Sequence, residues 1–202
     1  MTFWRGQFPL ILASQSRARQ TLLAQAGIEF TAIPADLDER MVQESSGLSS
    51  PGDIAALLAH EKALSVSRRK PGQFVIGADQ TLALGLRLFS KPAGRAEAAE
   101  QLRALAGVRH ELYSAVAVAA AGQILFTHVA TAGMTMRPLG EADIEAYLDE
   151  AGEAVSSSVG AYQLERLGVH LFDHIEGDFF TILGLPLLQL LAFLRSRRLL
   201  GV

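Results

Sequence analysis

The pattern of hydrophobic and polar positions changes its period along the chain, and these changes predict strands and helices. Short apolar runs and alternating runs predict strands, which cover residues 10–13, 28–33, 74–81, 110–120, 124–136, 168–175 and 179–183. Apolar residues at helical spacing, with Ser, Thr or Pro before them and Gly after them, predict helices. These cover residues 16–26 (beginning at Ser14 or Ser16), a long helix from Pro51, and 95–106, 141–150 and 187–199.

The order of these elements predicts an α/β protein whose sheet mixes parallel and antiparallel strands. Residues 82–88 read as a hairpin after the strand 74–81, and residues 36–39 as an acidic loop. The leucines between Leu187 and Leu200 belong either to the core or to a dimer face, and the core is the favoured interpretation.

Composition indicates a folded protein with ample length for a core. The chain has 202 residues, half of them apolar, and a net charge of -3, so we expect a single domain over residues 1–202. The absence of cysteine excludes disulfides, thiolate metal sites and cysteine nucleophiles. The charge balance disfavours nucleic acid as a partner. Because no apolar run reaches the length of a membrane span or a signal-peptide core, we expect a cytoplasmic protein without a membrane partner.

A buried strand that ends in a carboxylate is the most informative segment. In Phe74–Thr81, the small pair Gly77-Ala78 precedes Asp79, and small residues permit the close approach of a ligand or another backbone. The following hairpin would bring Lys91 back toward Asp79, which places a base and a cation across one cleft. The alternative is an edge strand with a solvated aspartate and a surface lysine, and this segment alone leaves both open.

Further polar residues lie at junctions between predicted elements. Ser14, Ser16, Arg17 and Arg19 surround a helix N-terminus and predict an anion site, although a Ser cap with two surface arginines is an alternative. Lys62 is one of only three lysines among eighteen basic residues, with Lys70 and Lys91. Acids and bases from separate segments suit a metal-assisted phosphoryl reaction. The acids are Glu39, Asp79 and Glu165, and the bases are Lys62, Lys91 and the arginines of the first junction.

Several common motifs are absent from the sequence. No P-loop, no G-x-G-x-x-G after a strand and no G-x-S-x-G elbow occurs. His170 and His174 are four residues apart in a predicted strand, where that spacing separates them too far to chelate one ion easily. A histidine metal site is therefore disfavoured.

Five segments, in order, match the blocks of one protein family. They are Leu12–Leu23, Val75–Gln80 with Lys91-Pro92, Gly107–His110, Gly160–Tyr162, and Gly177-Asp178 through Gly184–Pro186. On these segments the chain resembles the Maf family of nucleoside triphosphate pyrophosphatases over essentially its whole length. The resemblance implies hydrolysis of a nucleoside triphosphate to a monophosphate and diphosphate, as house-cleaning of the nucleotide pool. It also implies a Maf/ITPase-like fold with an elongated mixed sheet, two lobes and a central cleft, and a homodimer.

The resemblance also assigns roles to individual residues. Asp79 matches the general base, and Glu39 matches a carboxylate that would hold a divalent cation together with Asp79. That cation would be Mg²⁺, with Mn²⁺ as an alternative. Lys62 and Lys91 match the phosphate-binding lysines, and Arg19 matches the second arginine of the opening motif.

Two departures from the family pattern bear on the substrate. The opening S-P-R-R reads Ser16-Arg17-Ala18-Arg19 here, so Ala18 lacks the guanidinium associated with base selection, and Arg17 could replace it. Gln80 and Glu165 resemble the branch that acts on 7-methyl-GTP, whereas the dTTP and UTP branch has Thr and Gln. The 7-methyl-GTP branch usually carries Trp in place of Ala18, so the base stays open. Ser14, Ser16, Arg17, Ala18, Gln80 and Glu165 are the predicted substrate-binding residues.

A nucleotide-binding regulator of septum formation, with little catalysis, is the alternative function. The family is linked with that process, and the altered opening motif makes weakened chemistry conceivable. The retention of the acids and bases argues against it, because a pure binder needs no general base. The five retained residues are Arg19, Glu39, Lys62, Asp79 and Lys91.

Overall fold

The computed structural model describes residues 3–201. The strands are β1 (Leu10–Leu12), β2 (Phe30–Ala32), β3 (Val75–Leu84), β4 (Arg87–Phe89), β5 (Arg109–Ala120), β6 (Gln123–Met136) and β7 (Phe172–Glu176). The α-helices are α1 (Arg17–Gln25), α2 (Glu39–Ser46), α3 (Pro51–Arg69), α4 (Arg95–Leu105), α5 (Glu141–Ala151), α6 (Phe179–Ile182) and α7 (Leu187–Ser196). Short 3₁₀ helices occupy Gly152–Ser157, Val159–Ala161 and Leu167–Leu171.

The strands within residues 3–201 form a seven-stranded sheet of mixed direction. Its order is β2-β1-β3-β5-β6-β7, and β4 pairs with β3 off this path. Strand β1 runs parallel to both β2 and β3, whereas β4 is antiparallel to β3 and β7 is antiparallel to β6. The α/β class and the mixed sheet that the sequence predicts are therefore confirmed.

The chain divides into two compact units. The first unit comprises residues 3–80, 114–130 and 179–201, and the second comprises residues 81–113 and 131–178. The division falls within the long strands β3, β5 and β6, so the chain passes repeatedly from one unit to the other. The single domain over residues 1–202 and the central cleft stay predictions.

Strand β1 organises the core of the first unit because successive side chains of a strand point to opposite faces. Leu10 and Leu12 pack with Ile76 and Ala78 of β3, and helix α7 covers this side with buried leucines. On the opposite face, Ile11 packs in a separate cluster. Leu187, Leu190 and Leu194 are buried in the first cluster, together with Leu200, so the core interpretation holds for these leucines, whereas Leu188 is exposed.

Helix α3 lies directly against β3 at Gly77. A Cβ atom at this glycine would come within 2.6 Å of the backbone nitrogen of Ala63, closer than real Cβ atoms approach. Helix α3 begins at Pro51, with Ser50 as its cap, as the sequence predicts. The missing side chain at Gly77 thus lets α3 approach the strand that carries Asp79.

Two predictions of secondary structure were wrong, and one helix was not predicted. Residues 179–182 form helix α6 and not a strand, although their aromatic and β-branched composition favours strand. Gly177 and Gly184 flank this helix with positive φ angles, and the turns that they permit override the local preference. The acidic loop predicted at residues 36–39 is present over residues 36–38, and helix α2, which begins at Glu39, was not predicted.

The predicted strand over residues 168–175 was also wrong in its first half. Residues Leu167–Leu171 form a 3₁₀ helix, and the strand β7 begins only at Phe172. His170 therefore lies in the 3₁₀ helix and His174 in the strand, so the two do not share one strand. No helix within residues 3–201 combines the length and apolar character that crossing a bilayer requires.

Candidate active site

A buried ion pair lies where β3 meets α3 in the first unit. The ammonium of Lys62 donates to Asp79 Oδ1 at 2.6 Å, and its Nζ atom lies 2.8 Å from Glu39 Oε1. Asp79 is 7% exposed and Lys62 is 8% exposed, whereas half of the Glu39 side chain is exposed. The structure therefore brings together three of the residues that the sequence singled out, with the lysine between the two acids.

Local structure fixes each member of this group. Asp79 belongs to the interior of β3, where the strand holds the carboxylate more rigidly than a loop would. Lys62 lies in the middle of α3, one turn from Ala59 and next to the Gly77 contact. Glu39 occupies the first turn of α2, which Asp38 caps by accepting a hydrogen bond from the Met41 amide at 3.0 Å.

Arg19 supplies a second buried cation. Its Nε donates to the carbonyl of Gly184 at 2.7 Å, and its Nη1 donates to the carbonyl of Ala78 at 2.8 Å and to Ser14 Oγ at 3.2 Å. Gly184 has no side chain, and a Cβ there would lie 3.2 Å from Arg19 Nη2. The guanidinium is thus fixed by neutral acceptors, so its positive charge is not neutralised by a direct ion pair.

The acidic and basic groups of this site shift one another's proton affinities. Burial raises the pKa of Asp79, while the charges of Lys62 and Arg19 oppose that shift. Burial lowers the pKa of Arg19, and the charges of Asp79 and Glu39 oppose it. A carboxylate whose pKa is raised in this way is a stronger base than a solvated one, as general-base chemistry requires.

The two serines of the opening segment, Ser14 and Ser16, form hydrogen bonds within the chain. Ser16, not Ser14, caps α1 by accepting from the Arg19 amide at 3.4 Å. Ser14 Oγ accepts from the Ser16 amide and from Arg19 Nη1. Arg17 is exposed and Ala18 is half-buried. Ser16 is therefore a helix cap, as in the alternative interpretation of this segment. Of the two arginines, Arg17 lies on the surface and Arg19 is buried.

Gln80 lies on the opposite face of β3 from Asp79, because adjacent strand residues alternate. Its Nε2 donates to Ser114 Oγ at 2.9 Å and to the carbonyls of Thr181 and Ile182 at 3.1 and 2.9 Å. The structure thus separates Gln80 from the ionic group and ties it to β5 and α6.

Lys91 and Glu165 belong to the second unit, and both are exposed. Within that unit, the charge of Glu165 acts on Tyr147, whose pKa burial raises to about 12 with Glu165 as a smaller cause. The roles predicted for Lys91 and Glu165 stay predictions.

The donor set of Glu39 and Asp79 fits a divalent cation that arrives with a phosphate ligand. Mg²⁺ is usually bound in such sites by one or two carboxylates together with substrate phosphates and water. Within residues 3–201, no three His, Asp or Glu side chains converge as a ready-made metal cluster. Glu39 and Asp79, whose carboxylates both contact Lys62, match the smaller set of one or two carboxylates that Mg²⁺ uses together with phosphates and water.

Residues 9–197 match a family model described as Maf-like protein. The chain belongs to the Maf-like protein family. A nucleoside triphosphate pyrophosphatase of Rhodopseudomonas palustris (strain ATCC BAA-98 / CGA009) is 69% identical to it over 202 residues, covering 100% of both chains. A 7-methyl-GTP pyrophosphatase of Rhizobium etli is 52% identical over 190 residues, covering 93% of this chain and 95% of that relative. The family resemblance drawn from the sequence is therefore confirmed.

Solved structures show a more distant likeness to this Maf-like chain. A dITP/XTP pyrophosphatase from Mycobacterium abscessus aligns with 16% identity and a TM-score of 0.44, covering 95% of this chain and 96% of that one.

Sequence reasoning missed four residues that shape the site of this Maf-like chain. Gly184 was noted only as part of a family block, yet its carbonyl holds Arg19. Thr181 and Ile182 escaped notice because their segment was taken for a strand. Ser114 was overlooked in an alternating run, although a serine at a fully buried position of a strand was a usable signal.

Proposed function

We propose that this protein is a nucleoside triphosphate pyrophosphatase, which hydrolyses a nucleoside triphosphate to the monophosphate and diphosphate. The observation that carries the proposal is the buried Asp79 carboxylate, bonded to Lys62 and close enough to Arg19 for their charges to interact. The family and the names of its relatives support the same reaction.

In the proposed reaction, Asp79 takes a proton from water as the water oxygen bonds to the α-phosphorus. The bond between that phosphorus and the oxygen that bridges to the β-phosphate breaks, and diphosphate leaves with the electron pair. Lys62 donates to Asp79 Oδ1, and we assign the proton to Oδ2, the oxygen outside that bond. Lys62 and Arg19 supply fixed positive charge for the phosphate oxygens, which costs no reorganisation during the reaction.

A divalent cation, with Mg²⁺ as our first choice, would be held by Glu39 and Asp79 with the phosphates of the substrate. Such an ion neutralises charge on the phosphate oxygens. The ammonium of Lys62 contacts both carboxylates. It thereby keeps two acids close together that would otherwise repel each other.

For the nucleobase, we propose a purine of the 7-methylguanine type. The Rhizobium relative named for 7-methyl-GTP supports this choice, as do Gln80 and Glu165 at the two positions named above. The acid suits a cationic base because opposite charges attract. We also propose that the protein is a cytoplasmic homodimer and that Lys91 binds phosphate.

Replacement of Asp79 by Asn tests the reaction. Asparagine keeps the shape of the side chain but cannot accept the proton, so we expect turnover to fall by about 10²–10⁴-fold, the usual contribution of a general base. Nucleotide binding should persist. The assay scores diphosphate and orthophosphate separately with Mg²⁺ and a panel of 7-methyl-GTP, UTP, dTTP, CTP, 5-methyl-UTP, GTP and ATP.

A matched control is Asp173→Asn, which removes the same charge from an exposed residue of strand β7. Full activity of Asp79→Asn would remove Asp79 from the role of base. If the unaltered protein binds a nucleotide analogue in a thermal-shift titration but releases no diphosphate, the regulator alternative is supported and the proposed reaction is wrong.

A further inference from the structure

The amide of Gln80 has one permitted orientation in the first unit. Its nitrogen faces Ser114 Oγ and the backbone carbonyls of Thr181 and Ile182. Backbone carbonyls only accept hydrogen bonds, so the amide oxygen cannot take the place of the nitrogen without facing two acceptors. The nitrogen is therefore fully engaged, and Oε1 is the end of the side chain that makes none of these bonds.

Ser114 completes this arrangement. It is fully buried, and its hydroxyl donates to the carbonyl of Thr181 at 2.6 Å. Because that bond uses the only hydroxyl proton, the oxygen of Ser114 can act only as an acceptor toward Gln80. The serine thus repels the amide oxygen of Gln80 and attracts its nitrogen, and it does so from a neighbouring strand.

An amide that is held in this way presents one kind of group to a ligand. A free glutamine can rotate and either donate or accept, whereas a fixed one discriminates, because a mismatched partner leaves a polar group unpaired. Gln80 is only partly buried, so a ligand can reach it. An Oε1 that meets the nucleobase selects a base that offers a ring N–H, as guanine and uracil do, over one that offers a bare ring nitrogen.

We propose that Ser114 is a positioning residue that holds Gln80 with its oxygen toward the substrate, and that the site therefore selects nucleobases with a ring N–H donor. This inference rests on the proposed function and concerns the choice of base at the same site. Ser114 itself touches no substrate in this scheme and acts through Gln80.

Matched nucleotide pairs test the proposal. GTP is compared with 1-methyl-GTP, and UTP with 3-methyl-UTP, since each methyl group replaces the ring N–H. The readout is the ratio of kcat/KM within each pair, with kcat and KM also determined separately. The unaltered protein should strongly prefer the unmethylated member. Ser114→Ala should reduce that preference about fivefold, the effect of one hydrogen bond of ordinary strength.

Two further variants make the result specific. Ser114→Thr keeps the hydroxyl and should retain the preference, whereas Gln80→Met removes the amide and should abolish it. If Ser114→Ala does not fold, Ser114→Cys replaces it, since a thiol has a similar shape but bonds weakly.

Each contrary outcome has a distinct meaning. An equal loss of kcat/KM for all four nucleotides in Ser114→Ala would show a merely structural role and overturn the proposal. Equal use of methylated and unmethylated members by the unaltered protein would overturn the selection of an N–H donor while the pyrophosphatase activity stands. If no nucleotide is hydrolysed or bound at all, the proposed function itself fails, and this inference fails with it.

Discussion

At the residue scale, Arg19 shows how one side chain can join several segments and also place a positive charge near a carboxylate. Its guanidinium joins the carbonyls of Ala78 and Gly184 to the hydroxyl of Ser14, which ties β3, the end of α6 and the opening segment together. The guanidinium donates to these three acceptors from two separate nitrogens, Nε and Nη1, whereas the three donors of a lysine share one nitrogen, which cannot reach all three. The charge that results lies near Asp79, because the two groups shift each other's pKa.

Replacement of Arg19 by Lys should therefore destabilise the protein even though the charge is kept. We expect a loss of at least about 2 kcal/mol in the free energy of unfolding, because leaving a buried acceptor unpaired costs about 1–3 kcal/mol. Urea denaturation measures the effect, and the rate of diphosphate release should fall with it. Arg17→Lys is the control, since Arg17 is exposed on the same helix. Equal stability of the two variants would contradict this account.

At the element scale, the packing of α3 on β3 decides where Lys62 and Asp79 meet. The contact depends on Gly77, whose missing Cβ leaves room for the backbone of Ala59 and Ala63. Since Lys62 lies in the same stretch of α3 and Asp79 in the same stretch of β3, the spacing of these elements sets the 2.6 Å contact between them.

Replacement of Gly77 by Ala should push α3 away from the strand. The clash is with backbone atoms, which cannot rotate aside, so we expect a cost of about 1–3 kcal/mol, as for other overpacked sites. Diphosphate release should fall more than stability alone explains, because the Lys62–Asp79 contact lengthens. Gly94→Ala is the control, since no atom lies within 4 Å of a Cβ at Gly94. Unchanged activity of a folded Gly77→Ala variant would refute the link between packing and site geometry.

At the scale of the whole molecule, stability in acid depends on groups that the fold buries in the neutral state. His110 is 1% exposed, and its Nε2 lies 2.8 Å from the hydroxyl of Tyr162. Burial lowers the pKa of His110 from 6.5 to about 4. The unfolded chain therefore binds a proton at His110 near pH 6.5, whereas the folded chain binds it only near pH 4. Stability is lost as the pH falls through that window, because the proton favours the unfolded state.

Replacement of His110 by Gln should weaken this dependence on pH. Glutamine can still bond to the Tyr162 hydroxyl but does not titrate, so the loss of stability between pH 8 and pH 5 should be smaller by roughly 2 kcal/mol, from the linkage of the two pKa values. Urea denaturation at both pH values gives the comparison. The control is His170→Gln, at an exposed histidine. The same dependence in His110→Gln as in the unaltered protein would exclude His110 as its source.

Much of the fold followed from local pattern. The extended runs at residues 10–13 and 74–81, the Ser50-Pro51 helix start and the glycine stops are properties of short segments, and the structure has them. The errors fall where local preference and tertiary context disagree. The Phe179–Ile182 segment has a strand composition, but Gly177 and Gly184 turn the chain so tightly that a short helix results.

The α/β class, the family and the charged residues could be read from the sequence alone, because they depend on residue type and order. Which of these residues meet depends on the tertiary structure. It joined Glu39, Lys62 and Asp79, and it brought Gln80 against the carbonyls of Thr181 and Ile182. It also placed Ser114 in contact with Gln80, and Gly184 in contact with Arg19. Such contacts connect residues far apart in the chain, and their geometry depends on how helices pack on the sheet, which no local pattern encodes.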